Sequence, residues 1–200
     1  MLKRLFALLT LSLAAATTAL AAQAPDALVR DLSIEVIDAV KADKDIQAGN
    51  VQKVIALVDS KVLPYLNFQR MTASAVGRAW RQATPEQQAR LQAEFKLMLV
   101  RTYAGALAQV KDQTVQLRPF RANPADTEVV VRTEVKGKGD PIQLDYRLEK
   151  AGDSWKIYDV NVMGIWLVDQ YRTQFAQEVN AGGIDGLIAK LAERNKAAAN

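Results

Sequence analysis

The hydrophobic pattern changes phase within residues 154–175. Trp155 and Ile157 alternate with polar residues, whereas Val160 and Val162 follow in the opposite phase. Because side chains on a strand alternate strictly between two faces, a change of phase indicates one extra residue. We therefore predict a strand with a β-bulge between the two pairs, and a bend of the sheet at that point.

The pattern after Gly164 has a helical period. Apolar residues recur every three or four positions, at Val168, Tyr171, Phe175 and Val179. This spacing is typical of an amphipathic helix that leaves the end of the bent strand. A bent sheet with helices on its concave side would enclose a hollow, and that hollow is the first place to look for function.

The chain before residue 110 has helical patterns throughout. A capping sequence, Thr84-Pro85-Glu86-Gln87, starts the longest of these helices. Its second half, residues 97–107, is apolar almost all the way round. Such a segment usually lies between two layers, so it indicates either tight helix packing or the wall of a ligand site. We predict helices over residues 26–40, 51–62, 68–80 and 85–110.

The middle of the chain alternates apolar and polar residues. Four short strands over residues 115–162, joined by tight turns such as Gly137-Lys138-Gly139, would form an antiparallel meander with one apolar and one charged face. A final amphipathic helix follows a break at Gly182-Gly183. The order of elements predicts an α+β fold: a curved antiparallel β-meander of about four strands packed against five to six helices.

The first 21 residues have the features of an export signal. Lys3 and Arg4 precede an apolar run, and Ala19-Leu20-Ala21 fits the rule for signal cleavage. No cysteine follows the run, which excludes a lipid-anchored lipoprotein. We predict a signal peptide over residues 1–21, a single domain over residues 22–200, and export to a bacterial periplasm.

Composition excludes several classes of chemistry. The whole chain contains no Cys and no His, which removes thiol nucleophiles, Ser-His-Asp triads and the usual zinc sites. The net charge of +4 falls to +2 without Lys3 and Arg4, and the remaining basic residues are scattered. We therefore expect no nucleic-acid partner.

Two aspartates on the strands are candidate acid–base groups. Asp159 lies next to the predicted bulge, and bulges often re-aim side chains at functional sites. An aspartate that binds the free amides of a bulge is the commoner case. Asp145 belongs to the charged face of the meander, where cross-strand charge pairs are the ordinary arrangement.

Several runs together resemble one family. They cover nearly all of the mature chain in order: Leu63-Pro64-Tyr65, Gly77-Arg78-Ala79-Trp80-Arg81-Gln82-Ala83-Thr84-Pro85, Glu94-Phe95-Lys96, Arg101-Thr102-Tyr103, Leu144-Asp145-Tyr146, Trp155-Lys156-Ile157-Tyr158-Asp159-Val160 and Gly182-Gly183-Ile184-Asp185-Gly186-Leu187. The family is MlaC, or toluene tolerance, a group of periplasmic phospholipid carriers. Ile165-Trp166 departs from it, because the family tends to have a smaller polar residue beside Gly164.

The resemblance implies a nuclear-transport-factor-like cone with an apolar cavity that holds lipid tails. It also implies a carrier that shuttles phospholipid between an outer-membrane lipoprotein–porin complex and an inner-membrane ABC transporter with a substrate-binding ring, maintaining the lipid asymmetry of the outer membrane. No catalytic residue, metal or cofactor is implied, and we expect a monomer. Candidate cavity-lining residues come from the long helix, the inner sheet face and neighbouring helices: Val76, Trp80, Leu99, Tyr103, Leu107, Val131, Leu144, Tyr146, Leu148, Trp155, Val160, Val162 and Val168.

Two alternatives stay open at this point. The first is a small-molecule enzyme on the same fold, with Asp159 or Asp145 as base and a tyrosine as acid. It requires a carboxylate inside the hollow with a raised pKa. The second is a periplasmic binding adaptor that acts only through surface contacts.

Overall fold

The computed structural model describes residues 23–198, so the predicted signal peptide lies outside the described residues. The helices are α1 (Pro25–Ala42), α2 (Lys44–Gln47), α3 (Val51–Leu57), α4 (Phe68–Val76), α5 (Pro85–Ala108) and α6 (Leu167–Ala197). The strands are β1 (Thr114–Leu117), β2 (Glu128–Lys136), β3 (Ile142–Ala151), β4 (Ser154–Val162) and β5 (Ile165–Trp166). This confirms the α+β prediction, with six helices and one more strand than expected.

Side-chain caps start most of the short helices. The Asp43 carboxylate accepts from the N–H groups of Asp45 and Ile46 at the start of α2, and Asn50 caps α3 in the same way. α3 then loosens into a π-helical turn at Val58–Val62 and a 3₁₀ turn at Leu63–Tyr65. The predicted second helix is therefore shorter than its apolar stripe suggests.

The capping box predicted at Thr84 is present. The Thr84 hydroxyl accepts from the Gln87 N–H, and the Gln87 side chain accepts from the Thr84 N–H. α4 ends earlier than predicted, at Val76, and the next residue, Gly77, has a φ of 70° in a region that favours glycine. A 3₁₀ helix, Gly77–Gln82, leads to the box.

The five strands form one antiparallel sheet in the order β1-β2-β3-β4-β5. The register shifts between Arg147 and Leu148, which face Asp159 and Ile157, so Tyr158 is the extra residue of a bulge. The bulge prediction is confirmed. β5, which no sequence signal indicated, pairs with the end of β4 through a two-residue turn at Met163-Gly164. Both turn residues have positive φ, as a type I′ hairpin turn requires.

α4 is attached to the sheet by polar contacts at the bulge. The Asn67 N–H donates to the Ile157 carbonyl at 2.8 Å. Arg70 pairs with Glu149 and, at 2.7 Å, with Glu128, and its guanidinium stacks 3.6 Å above the ring of Tyr158. These contacts place the start of α4 against the middle of β4.

The apolar core consists of three clusters of buried residues. The first cluster joins α4, α5 and α6 around Phe95, Tyr171 and Phe175, whose rings lie 5.1–5.7 Å apart. The second cluster joins α1 to the sheet, with Leu28, Val29, Leu32, Val131, Leu148, Trp155 and Ile157. The third cluster joins the other side of α5 to α1, α2 and α3, with Val40, Ile46, Val54, Leu57, Val100 and Ala104.

α6 is interrupted where the glycine pair predicts a break. Gly183 has φ 68° and ψ −166°, which is not helical, so α6 consists of two segments that meet at a kink. The second segment packs against the first cluster through Leu187, Ile188 and Leu191. Within residues 23–198, no helix is both long enough and apolar enough to span a membrane.

Candidate functional site

The helix-facing side of the sheet, called here the inner face, is a continuous apolar surface. Side chains directly opposite each other on neighbouring strands lie on the same side of a sheet. Val131 is opposite Tyr146, which is opposite Val160, and this row runs across β2, β3 and β4. The next row toward the β5 end contains Thr133, Leu144 and Val162.

Burial on the inner face is graded. Val131 and Leu148 are fully buried with Trp155 and Ile157 in the second cluster. In contrast, Leu144, Tyr146, Val160 and Val162 are only half-buried. These four residues therefore mark the part of the inner face that the helices do not cover completely, in contrast to the close packing around Val131 and Leu148.

α5 also carries a half-buried stripe. With 3.6 residues per turn, Leu99 and Tyr103 lie between the face that carries Phe95 and the face that carries Val100 and Ala104. Both flanking faces are buried, in the first and third clusters respectively, but Leu99 and Tyr103 are half-buried. The prediction that this segment lies between two layers is confirmed, because helices pack on both of its flanks.

The stripe on α5 and the inner face of the sheet meet at the first cluster. Leu99 and Tyr103 pack against it from α5, and Val160 and Val162 pack against it from β4. Together with Leu144 and Tyr146 they surround the candidate site. The candidate site is defined by these six half-buried side chains. All six are among the residues predicted to line a cavity, and their contact with a ligand stays a prediction.

The other predicted lining residues have different environments. Val76 and Val168 are buried in the first cluster, and Val131, Leu148 and Trp155 are buried in the second. Trp80 packs against the first cluster and Leu107 against the third, and both keep some exposure. The buried five belong to the packed core here, so they would contact a ligand only if that packing opened.

Two clefts on the helical side of the molecule involve none of the predicted lining residues. One, of about 300 Å³, lies between α5 and the two ends of α6, and its lining includes Met98, Arg101, Tyr171 and Asn195. The other, of about 280 Å³, lies at the kink of α6, around Gly182, Gly186 and Lys190.

Polar groups at the candidate site are few and uncharged. Burial raises the pKa of the Tyr146 hydroxyl, which interacts with the side chains of Ser33 on α1 and Thr133 on β2. Burial also raises the pKa of Tyr103. Both phenols therefore remain neutral at physiological pH and can donate a hydrogen bond. Sequence patterns gave no signal for Ser33, because its role depends on the position of α1 over the sheet.

Asp159 is buried at the corner between β4 and α6. Its side chain is 1% exposed, and Oδ1 accepts from the N–H groups of Val160 at 2.9 Å and Val168 at 3.1 Å. Oδ2 accepts from Nη1 of Arg147 at 3.0 Å. The carboxylate therefore caps the first turn of α6, which has no cap from its own N-terminal residue. The interpretation of Asp159 as a support for backbone amides is confirmed.

Neither Asp159 nor Asp145 is placed to act as the base that the enzyme hypothesis requires. Burial raises the pKa of Asp159, as that hypothesis requires, but both carboxylate oxygens are engaged by amides and by Arg147. Asp145 alternates with Leu144 and Tyr146 on β3, so it lies on the opposite face of the sheet, 3.9 Å from Arg132. Among residues 23–198, no cluster of His, Cys, Asp and Glu side chains could hold a metal ion.

The fold and the site together define a class: an antiparallel sheet with one apolar face turned toward helices that cover it only in part. The model of the MlaC protein family matches residues 30–193. The chain belongs to the MlaC family.

Three known proteins similar to this chain agree with that assignment. A solved structure, of a phospholipid-binding protein from Ralstonia solanacearum in complex with a phospholipid, is 49% identical; it covers 88% of this chain and 98% of its own, with a TM-score of 0.85. Toluene tolerance protein ttg2D of Pseudomonas putida is 28% identical, over 90% of this chain and 87% of its own length. The intermembrane phospholipid transport system binding protein MlaC of Haemophilus influenzae is 24% identical, over 95% and 92%.

Proposed function

We propose that this chain is a periplasmic phospholipid-binding protein. In this proposal it shuttles phospholipid between an outer-membrane lipoprotein–porin complex and an inner-membrane ABC transporter with a substrate-binding ring, and so maintains outer-membrane lipid asymmetry. The observation that carries the proposal is the likeness to a structure with bound phospholipid, at 49% identity over 88% of the chain. The acyl chains would occupy the space between α5 and the inner face of the sheet.

The physical requirement on such a carrier is nearly complete burial of the tails. Each methylene kept from water contributes about 0.8 kcal/mol, so two tails with about thirty methylenes represent about 25 kcal/mol. The headgroup gains little from burial and can remain in water. A site of apolar side chains with a few neutral hydroxyls, such as Tyr146 and Tyr103, meets this requirement.

In the proposal, the region between α5 and the sheet enlarges when lipid binds. Phospholipid tails need a volume above the 300–1,000 Å³ of ordinary ligand pockets. The half-buried residues Leu99, Tyr103, Leu144, Val160 and Val162 already have accessible surface. In the proposal, lipid pushes α5 and the sheet apart, which would also expose buried neighbours such as Val131 and Leu148 to the tails.

Native mass spectrometry of the mature protein, purified from cells without detergent, tests the proposal. We expect a mass increment equal to one or more phospholipids, and the same lipid in an organic extract. A clean apo mass with no extractable lipid would contradict carriage. The adaptor alternative predicts an apo protein with no extractable lipid that still binds the membrane complexes.

A further inference from the structure

Exposed apolar side chains gather at one end of the sheet. In the described part of the chain, four large hydrophobic residues are exposed: Ile34 (43%), Ile142 (42%), Met163 (69%) and Ile165 (54%). The last three lie together at the end of the sheet formed by the start of β3 and the β4–β5 turn, where the Met163 N–H donates to the Gln143 carbonyl at 3.0 Å. We call Ile142, Met163 and Ile165 the apolar lip.

The lip is continuous with the proposed acyl-chain site. Ile165 is opposite Val162, and Val162 is opposite Leu144, so all three share the inner face. Ile142 precedes Leu144 by two residues and lies on that face as well. From the lip inward, exposure falls through the half-buried Leu144 and Val162 to the fully buried Val131.

The turn that carries Met163 is energetically unfavourable. Its φ of 51° lies in the left-handed region, which residues other than glycine rarely adopt. The turn is held there by Gly164, whose N–H donates to Oδ1 of Asn161 at 2.8 Å. On the opposite face Trp166 stacks 3.8 Å from the guanidinium of Arg147, so the strand that carries Ile165 is fixed in orientation. Backbone strain that neighbouring residues maintain in this way occurs most often at functional sites.

We propose that the apolar lip is the passage through which acyl chains enter and leave the space between α5 and the sheet. This inference rests on the proposed carrier function. Methylenes that cross an exposed edge would meet water, and Ile142, Met163 and Ile165 cover them while the tail moves between the interior and a membrane. The lip thus lowers the barrier to transfer and leaves the equilibrium affinity of the deeper site unchanged.

The test is the transfer rate of a fluorescent phospholipid from loaded mature protein to phosphatidylethanolamine–phosphatidylglycerol vesicles, measured by stopped flow at increasing vesicle concentrations. The Met163→Ser/Ile165→Ser double variant is compared with Ile34→Ser, which changes an exposed isoleucine on α1, away from the sheet end. We expect wild type and Ile34→Ser to share one plateau rate. The plateau rate of the double variant should be about tenfold lower. This is the effect expected if about two methylenes are exposed to water in the transition state of transfer.

The outcomes separate the two proposals. If wild-type protein neither holds nor transfers lipid, the carrier function fails. If wild type transfers lipid and the double variant has the same plateau rate, the carrier function stands and the lip proposal is overturned. A defect only in the vesicle concentration needed for half-maximal rate would also overturn it, because that result assigns the lip to docking on a surface.

A second measurement is independent of folding differences between variants. The chain contains no cysteine, so Ile165→Cys provides a single thiol for a bulky maleimide. We expect the labelled protein to transfer lipid at least about tenfold more slowly than the same protein before labelling. Ile34→Cys should be unaffected by the label, and equal rates before and after labelling of Ile165→Cys would contradict the proposal.

Discussion

At the scale of single residues, Asp159 connects the sheet to α6. One carboxylate accepts from two backbone N–H groups, Val160 on β4 and Val168 on α6, and pairs with Arg147 on β3. A buried carboxylate with these partners supports the corner next to the candidate site. The sequence pattern placed Asp159 at the bulge, but the identity of its partners depends on the packing of β3 and α6.

Asp159→Ala should destabilise the protein by about 3 kcal/mol, because it leaves two buried N–H groups and a partly buried guanidinium without their acceptor. Urea denaturation followed by circular dichroism measures the change. Asp145→Ala is the matched control, since its 3.9 Å ion pair with Arg132 on the outer face should contribute less than about 1 kcal/mol. Equal effects of the two substitutions would refute the capping role of Asp159.

The pH dependence of stability follows from the pKa of Asp159. Burial raises this pKa above the ordinary value of 3.8, although the Val168 and Val160 amides and Arg147 act in the opposite direction. The folded protein then holds the proton more tightly than the unfolded chain does. The contribution of this raised pKa to the free energy of unfolding is therefore fully present below about pH 4. It is lost as the pH rises through the pKa of the folded protein.

Comparison with Asp159→Asn, which does not titrate at this position, isolates the effect. The difference in unfolding free energy between wild type and Asp159→Asn should shift in favour of the variant as the pH is raised from about 3 to about 7. Urea titrations at four or five pH values measure it. A shift in favour of wild type over that range would mean that Arg147 and the amides lower the pKa overall.

At the scale of elements, the sequence predicted the bulge on β4 and the break in α6, but it did not predict β5. The bulge at Tyr158 follows from alternation alone, because alternation is a local rule. β5 was missed because two residues are too few to show a period, and its pairing with Asn161 and Val162 depends on a turn with positive φ at Met163 and Gly164. Gly183 was identified as a helix break by its residue type.

The adjacent glycines of α6, Gly182 and Gly183, should respond to alanine with stability changes of opposite sign. A Cβ on either residue meets nothing within 4 Å, so only the backbone distinguishes them. Gly183→Ala should cost about 1–3 kcal/mol, because its φ and ψ belong to a region that is essentially restricted to glycine. Gly182→Ala should gain up to about 1 kcal/mol from better helix propensity. Thermal and urea unfolding of both variants would check the signs, and stabilisation by Gly183→Ala would contradict the kink.

At the scale of the whole molecule, the candidate site is the boundary between three separately packed clusters. The first and third clusters bury two faces of α5, and the second joins α1 to the sheet. The remaining stripe of α5 and the middle of the inner face belong fully to none of them. An apolar molecule bound there would complete the core, which links lipid binding to stability.

Leu144→Asp tests that arrangement directly. A carboxylate against acyl chains is costly to desolvate, so the lipid-to-protein ratio after purification should fall at least about tenfold. Leu144 is half-buried, and the fold should survive the change. Gln143→Asp, the neighbouring position on the other face of β3, should keep the wild-type ratio. Folded Leu144→Asp protein with a full lipid load would contradict the proposed position of the tails.

The sequence by itself determined the features that depend on local rules. Alternation, helical periodicity, the Thr84 capping box and the glycine breaks are set by neighbours within a few residues. They were sufficient for the α+β class and for the order of the longer elements. The resemblance of short runs was sufficient for the family. The tertiary structure decided which apolar residues are packed and which keep accessible surface, because both kinds have the same character in sequence. Leu144 and Leu148 lie on the same face of one strand, yet Leu148 is core because α1 packs over it, whereas Leu144 stays half-buried.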